Sequence, residues 1–433
     1  MRFTSLAVVA VMVAVGVERR ARAEDEFERP PIAYSAGAPD NPVERLRCRL
    51  DAGEVTLAHA GRGGYLRAVL AALDVPVSSQ TLVFSKTSLQ QQRISPTNAR
   101  ALYFNDDVYV GWVPGGEVVE FSVADPALGT VFYALDDDPA ERPRIERQTD
   151  DCLICHGGSQ TRGVPGHVIR SVYPDRGGQP IFSAGSHRVD DTTPFERRWG
   201  GWYVTGSHGA AAHLGNLTYG KRPDGEGPGA PDGLNMTDLG GRIDTARYLS
   251  PHSDLVALTV LAHQAAAHNA ITKASFDART ALHREESLNR ELGEPAGTRW
   301  PSTETVLDGA AAALVDCFLF RGAAPLEAPI AGTSPFATEF AAAGPRDPRG
   351  RSLRDLDLET RLFRHPCSFL VYSASFAALP DDVKSRFWKR MDEVLSGRTG
   401  GSDFAHLTVA DRAAIREILA ATKPDAPDAW RTP

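Results

Sequence analysis

Short runs of β-branched and aromatic residues, separated by turn residues, follow one another between residues 80 and 138. Such runs are typical of β-strands, and their close spacing predicts an antiparallel sheet. A helix is predicted just before them, in the stretch GYLRAVLAALDV. The predicted strands are TLVFS, ALYFND, VYVGWV, VVEFSVA and TVFYAL.

Helical patterns prevail from Ser250 onward. Ser250 and Pro251 suit the N-cap and the first turn of a long helix. That helix is apolar nearly all round, so we expect it to be buried. A connector rich in proline, glycine and alanine spans residues 322–350. Further helices are predicted in SLRDLDLETRLF, LPDDVKSRFWKRMDEVLSG and TVADRAAIREILAAT.

The patterns predict an α+β fold in three zones: an N-terminal mixed α/β-sheet domain at 24–149, a loop-rich region at 150–250, and a helical domain at 251–433. The middle zone is rich in glycine, histidine and aromatic residues. With 433 residues, 42% of them hydrophobic, the chain has room for two or three domains. Its net charge of -8, without a basic stripe, argues against nucleic acid as a partner.

The N-terminus has the pattern of a secretory signal. The apolar run at 6–17 is too short to span a bilayer, which needs about 20 residues. Ala21 and Ala23 fit the small-x-small rule for cleavage before Glu24. We therefore predict a signal peptide at 1–23 and a periplasmic or secreted chain. Two arginines follow the run, so an uncleaved membrane anchor is the alternative.

A C-x-x-C-H motif lies in the stretch TDDCLICHGG, at residues 152–156. With 5 Cys and 12 His in the chain, about 0.002 such motifs are expected by chance. A thioredoxin-type dithiol requires a preceding strand in a βαβ unit, and the segment before the motif is polar. A zinc site requires a second pair of ligands, and Cys48, Cys317 and Cys367 stand alone. A disulfide within the motif gives its histidine no role.

Covalent haem uses all three residues of the motif. Two thiols add across the two vinyl groups of the haem, and the histidine that follows becomes the proximal iron ligand. In bacteria this attachment takes place outside the cytoplasmic membrane, in agreement with the predicted signal peptide. We therefore predict one haem c, bound by Cys152, Cys155 and His156.

Four strings resemble a family of secreted bacterial proteins described as cytochrome c domain-containing. They are SSQTLVFSKTSLQ, RALYFNDDVYVGWV, CLICHGGSQTRGVPGHVIRSVYPD and RWGGWYVTGSHGAAAHLGN, within about residues 34–273. The resemblance implies a haem at Cys152, Cys155 and His156 and implies no particular activity. The chain lacks the helix that precedes the motif in small cytochromes c, and it is far longer. Their fold is therefore not expected here.

The sixth iron ligand decides what such a haem can do. A strong ligand makes a low-spin electron carrier, whereas an open position binds peroxide, oxygen or nitrogen oxides. His208 and His213, after RWGGWYVTG, are the first candidates. His263 on the long helix and Met236 in a loop are the others, and Met391 is expected in a helix core. For any one of these histidines, a structural hydrogen-bonding role is the more common alternative.

Two classes of function follow. The first is a periplasmic electron-transfer protein, exchanging electrons with redox proteins or a small-molecule donor or acceptor. The alternative is a haem-dependent, peroxidase-like oxidoreductase with an open iron site, or a haem-based sensor. The single motif favours the carrier and the chain length favours the enzyme; we expect electron transfer. A membrane contact is expected only if the signal peptide is uncleaved. One bridge among Cys48, Cys317 and Cys367 is compatible with an oxidising compartment, and its pairing stays open.

Overall fold

A computed structural model describes residues 26–220, 233–398 and 402–431. The predicted signal peptide and most of the glycine-rich loop at 220–233 lie outside these residues. The helices are α1 (Pro42–Asp51), α2 (Leu66–Ala72), α3 (Asp151–His156), α4 (Leu255–Leu292), α5 (Pro301–Phe318), α6 (Phe336–Ala342), α7 (Ala374–Ala377), α8 (Asp381–Leu395) and α9 (Val409–Thr422). The strands are β1 (Thr81–Val83), β2 (Arg100–Phe104), β3 (Val108–Trp112), β4 (Val118–Asp125), β5 (Gly129–Asp136), β6 (Ile145–Gln148), β7 (Arg170–Val172), β8 (Ser186–Arg188), β9 (Trp202–Tyr203), β10 (Gly206–Ser207) and β11 (Ala331–Gly332).

A seven-stranded antiparallel sheet occupies the N-terminal half, in the order β6-β5-β4-β3-β2-β1-β9. The five predicted strands form β1 to β5, because their apolar residues need burial on at least one face of the sheet. Helices dominate the C-terminal half, so the predicted α+β class is confirmed. Helices predicted in three of the stretches form α2, α8 and α9.

The two faces of the sheet pack against different layers. Alternate strand residues such as Tyr103 and Phe121 face α1 and α2 and share a core with them. On the opposite face, Phe104 and Tyr109 share a core with α4 and the C-terminal helices, as far as Trp430. Gln264 of α4 donates to the Tyr109 hydroxyl at 2.8 Å. The long helix therefore joins the sheet to the helical half, and it is buried as predicted.

Helix α4 begins later than the sequence predicts. Its N-cap is Asp254, whose Oδ1 accepts hydrogen bonds from the backbone N–H groups of Val256 and Ala257, both at 2.9 Å. Its Oδ2 accepts two more, from the N–H groups of residues 333–334 at 2.8 Å. A carboxylate that serves four N–H groups outcompetes the single hydroxyl of Ser250, so the prediction of the cap at Ser250 is wrong.

The predicted helix at 352–363 is also wrong. The Asp357 carboxylate accepts hydrogen bonds from the N–H groups of residues 359–361, at 2.7 to 3.3 Å, and closes a turn there. Leu358 lies in the left-handed region, with φ of 62°. Aspartate side chains compete with helical hydrogen bonds in this way. The connector at 322–350, by contrast, contains a short helix, α6.

Candidate functional site

The C-x-x-C-H motif forms the short helix α3 directly after the edge strand β6, which pairs antiparallel with β5. The expectation that no strand precedes the motif is therefore wrong. Polar residues form β6 because an edge strand needs few apolar contacts, and Ile145 supplies them. The pairing is antiparallel, so strand and helix do not form the βαβ unit of a thioredoxin-type site.

The imidazole of His156 is held on one side. Its Nδ1 lies 2.8 Å from the carbonyl oxygen of Gly166, and its ring packs on Phe132 of β5 with centroids 5.0 Å apart. Only a protonated Nδ1 can donate to a carbonyl, which leaves Nε2 as the lone-pair nitrogen. Histidines that bind metals are oriented in this manner by a second hydrogen bond. The donor chemistry of His156 therefore fits an iron ligand.

Helix α4 fixes the carbonyl that orients His156. The Asn269 side chain accepts a hydrogen bond from the backbone N–H of His167 at 2.8 Å and donates one to its carbonyl at 2.7 Å. A Cβ on Gly166 would lie 2.4 Å from Asn269 Oδ1, so glycine permits this close approach. The N–H of Gly166 also donates to the His156 carbonyl at 2.9 Å. Asn269 therefore positions His156 through the backbone of residues 166–167.

The two motif thiols differ in burial and are both free. Cys152 is half-buried and Cys155 is exposed. Burial raises the pKa of Cys152 to about 11, and the nearby Glu120 and Asp151 carboxylates add to the effect. A redox-active dithiol requires a lowered thiol pKa, so this environment disfavours the thioredoxin-type alternative. A thioether to haem carries no charge and is compatible with the same burial.

An ion pair of Arg100 on β2 and Glu120 on β4 lies within electrostatic reach of the motif. The pKa of His156 is lowered first by burial and further by the positive charge of Arg100, against the hydrogen bond to Gly166. The Nε of Arg100 is buried and has no hydrogen-bond partner. The guanidinium thus places a positive charge beside the motif, and Glu120 compensates it.

The sheet surface beside the motif is partly uncovered. Cross-strand pairing places Leu102, Gly111, Glu120 and Ala134 in one row on the sheet face that carries Phe132. Three of the four are only half-buried, and the glycine lies beneath the Arg100 guanidinium. Gly111 and Ala134 are the small members of this row, and Ala134 lies two residues from Phe132, which contacts His156. Such a partly uncovered surface suits one side of a flat ring.

The first distal candidates do not approach His156. The rings of His208 and His213 contact each other at 4.6 Å. His208 uses both nitrogens, with Nδ1 2.6 Å from the Ala211 carbonyl and Nε2 accepting from the Asn235 N–H at 2.8 Å. This pair follows β9 at the far edge of the sheet, five strand spacings from β5, or about 24 Å.

The polar groups or side chains of the candidates are engaged in other contacts. His213 is buried, which lowers its pKa to about 3. His263 lies 2.8 Å from Asp191 through Nδ1 and 2.9 Å from Ser368 through Nε2, so both of its nitrogens are engaged. The carbonyl of Met236 accepts from the first residue of β10, and its side chain packs on the core that contains α1 and α2. Met391 is in a helix core, as expected.

Sequence reasoning missed the residues that surround the motif: Gly166, Asn269, Arg100 and Glu120. A signal was present for two of them. Asn269 interrupts an otherwise apolar helix, and Glu120 interrupts the apolar strand VVEFSVA. Buried polar residues of this kind need partners, so each marks a specific contact. The partners themselves come from distant parts of the chain and leave no local pattern.

Comparison of the chain with protein families, curated proteins and solved structures finds no match. The resemblance to cytochrome c domain-containing proteins therefore stays a prediction. Among the described residues, no helix is long and apolar enough to cross a membrane. The same residues contain no group of three or more His, Cys, Asp or Glu side chains arranged around a metal ion. A haem iron takes only one or two axial ligands from the protein.

All five cysteines lie in the described part of the chain and are free thiols. Cys48 is exposed, Cys317 is half-buried and Cys367 is buried. Burial raises the pKa of both Cys317 and Cys367 to about 12.

Proposed function

We propose that the chain is a c-type cytochrome that carries one haem and transfers electrons in the periplasm. The thiols of Cys152 and Cys155 would hold the haem covalently, and Nε2 of His156 would bind its iron. The observation that carries the proposal is the hydrogen bond from His156 Nδ1 to the Gly166 carbonyl, which leaves Nε2 free for a metal. The bound haem would supply one-electron chemistry.

The remaining residues of the site would orient and tune that group. Asn269 holds the backbone of residues 166–167 and so fixes the ring plane of His156. Phe132 packs against the imidazole and keeps water from one side of it. The positive charge of Arg100 would attract an anionic substituent such as a propionate, and Glu120 limits the net positive charge there.

A second candidate is a haem-dependent oxidoreductase or sensor with an open sixth position. Two candidates for the sixth ligand, His208 and His263, use both ring nitrogens in other hydrogen bonds. This favours an iron with an open sixth position. An iron without a strong sixth ligand from the protein binds small molecules such as peroxide. The two candidates share the same attachment chemistry and differ only on the open side of the iron.

Attachment is tested by producing the chain in a periplasm that contains haem-attachment enzymes. Haem staining should survive denaturation and acid-acetone extraction in the wild type. The double variant Cys152→Ala, Cys155→Ala should lose the stain, whereas the control Cys317→Ala should keep it. Extractable haem, or stoichiometric zinc without haem, would contradict the proposal.

The open side of the iron is tested by the ferric absorption spectrum. A low-spin spectrum that turns high-spin in one of His208→Ala, His213→Ala, His263→Ala or Met236→Ala would identify a sixth ligand and support electron transfer. A high-spin wild type that binds cyanide rapidly, with all four variants unchanged, would support the oxidoreductase. The spectrum thus separates the two candidates without knowledge of a substrate.

A further inference from the structure

A groove with a volume of about 590 Å³ runs between α4 and α5, beside the loop that follows the haem motif. Its floor is made of small residues: Ala270, Ala274 and Ala281 of α4, and Gly309, Ala310 and Ala313 of α5. Phe27 and Val164 add apolar surface at its wall. The groove is separate from the C-x-x-C-H motif, since Cys152, Cys155 and His156 do not line it.

The groove is elongated. Its lining residues on α4 extend from Ala270 to Arg284, about 21 Å of helix, and those on α5 from Thr305 to Ala313, about 12 Å. Natural ligand sites have volumes of roughly 300 to 1,000 Å³ and are mostly apolar with a few polar groups. A long, narrow and apolar occupant therefore fits this groove better than a compact polar one.

Two of the three cationic side chains that line the groove form ion pairs, and the third does not. Lys273 pairs with Asp277, and Arg284 pairs with Glu26 at 2.7 Å. Arg162, at the end near Ala270, is exposed, and its side chain forms no hydrogen bond or ion pair with the residues that the structure describes. One uncompensated cation thus stands at one end of an apolar slot, which is complementary to an anionic head on an apolar tail.

We propose that this groove binds a free long-chain monocarboxylate, with its carboxylate at Arg162 and its acyl chain along the alanine and glycine floor. The site is adjacent to the haem motif, because the Phe27 ring reaches within 3.1 Å of where a Cβ on Gly157 would lie. Binding in the groove requires neither thiol nor His156. The proposal therefore stands apart from the haem assignment and is tested separately from it.

Steric blocking of the floor is the first test. A Cβ on Gly309 would meet no heavy atom within 4 Å, so Gly309→Leu places a side chain in the groove without a clash. Removing a glycine from a helix interior also favours the helix. Isothermal titration with dodecanoate should show at least a tenfold weaker affinity for this variant. Ala413→Leu, which introduces the same side chain at an exposed position of α9, should leave the affinity unchanged.

Removal of the cation is the second test. Arg162→Gln should weaken dodecanoate binding about tenfold, as expected for one charge-assisted contact. It should leave the binding of uncharged dodecanol unchanged. The matched control is Arg176→Gln, which removes an exposed arginine outside the groove.

The titrations are made on the full chain and on the haem-free Cys152→Ala, Cys155→Ala variant. The dodecanoate affinities can then be interpreted even if the haem assignment is wrong. Equal dodecanoate affinity in Gly309→Leu and wild type would overturn the proposal. So would a wild-type dimer that dissociates in Gly309→Leu, since the groove would then bind a second copy of the chain.

Discussion

At the scale of single residues, the site depends on how the protein fixes the imidazole of His156. The ring is held by a backbone carbonyl, and that carbonyl is held in turn by the side chain of Asn269. A side chain acting through backbone atoms can orient a ligand without touching it. A substitution on α4, far away in sequence, can therefore change the orientation of His156.

We expect Asn269→Ala to lower the free energy of unfolding by about 2 to 4 kcal/mol, because it leaves the N–H and carbonyl of His167 unpaired in a buried position. In haem-loaded protein it should also shift the reduction potential, since the imidazole is held less firmly. Urea denaturation and spectroelectrochemistry measure the two effects. Asn289→Ala, a buried asparagine of the same helix that bonds Thr298 and Trp300, should show only the loss of stability.

Removing each charge of the Arg100–Glu120 pair in turn tests whether the proposed haem lies beside it. Loss of a positive charge favours the ferric state and lowers the reduction potential, whereas loss of a negative charge raises it. Arg100→Gln and Glu120→Gln should therefore shift the potential in opposite directions, each by tens of millivolts. Potentiometric titration measures both. Shifts of the same sign, or none, would place the haem away from this pair.

At the scale of elements, long helices and alternating strands were predictable, whereas their boundaries were not. The runs that became β1 to β5 carry their apolar pattern locally, and so do α8 and α9. The start of α4 was not predictable, because Asp254 also binds N–H groups at residues 333–334 that come from a distant segment. The cysteines and histidine of the motif were readable in the sequence. Asn269 was visible only as a polar residue in an apolar helix, and its partner His167, 102 residues away, was not predictable.

The Asp254 cap should therefore contribute more to the free energy of unfolding than an ordinary N-cap does. Asp254→Ala removes an acceptor from four backbone N–H groups, and we expect a loss of about 3 to 5 kcal/mol in the free energy of unfolding. Asp254→Asn keeps one oxygen and should lose roughly half as much. Thr408→Ala, at the capping box of α9, should lose only about 1 kcal/mol. Urea denaturation of the three variants ranks them.

At the scale of the whole molecule, five buried histidines and the half-buried His156 share a lowered pKa. Burial is the main cause of a lowered pKa at each of six positions: His156, His167, His208, His213, His268 and His365. Four of them lie in the middle zone and two in the helical half. Protonation in the unfolded chain, whose histidines titrate near pH 6.5, therefore opposes folding throughout the molecule.

The haem-free protein should lose stability as the pH falls below about 6.5. The folded pKa of these groups is depressed, so their contribution is complete above the unfolded pKa and is lost as the pH falls toward the folded one. For His213, with a folded pKa of about 3, the loss between pH 6.5 and 5 is about 2 kcal/mol. His213→Leu should flatten the pH dependence of the urea midpoint. His283→Leu, at an exposed position, should not.

The position of α3 has a consequence for the order of events during biogenesis. None of its six residues is buried, and the helix follows a strand at the very edge of the sheet. Opening such a segment disturbs few contacts, so it costs much less than unfolding the molecule. If haem is attached as proposed, an attachment enzyme could then reach the two thiols after the rest of the chain has folded. Under that proposal, haem attachment would follow folding, and the fold would form without the haem.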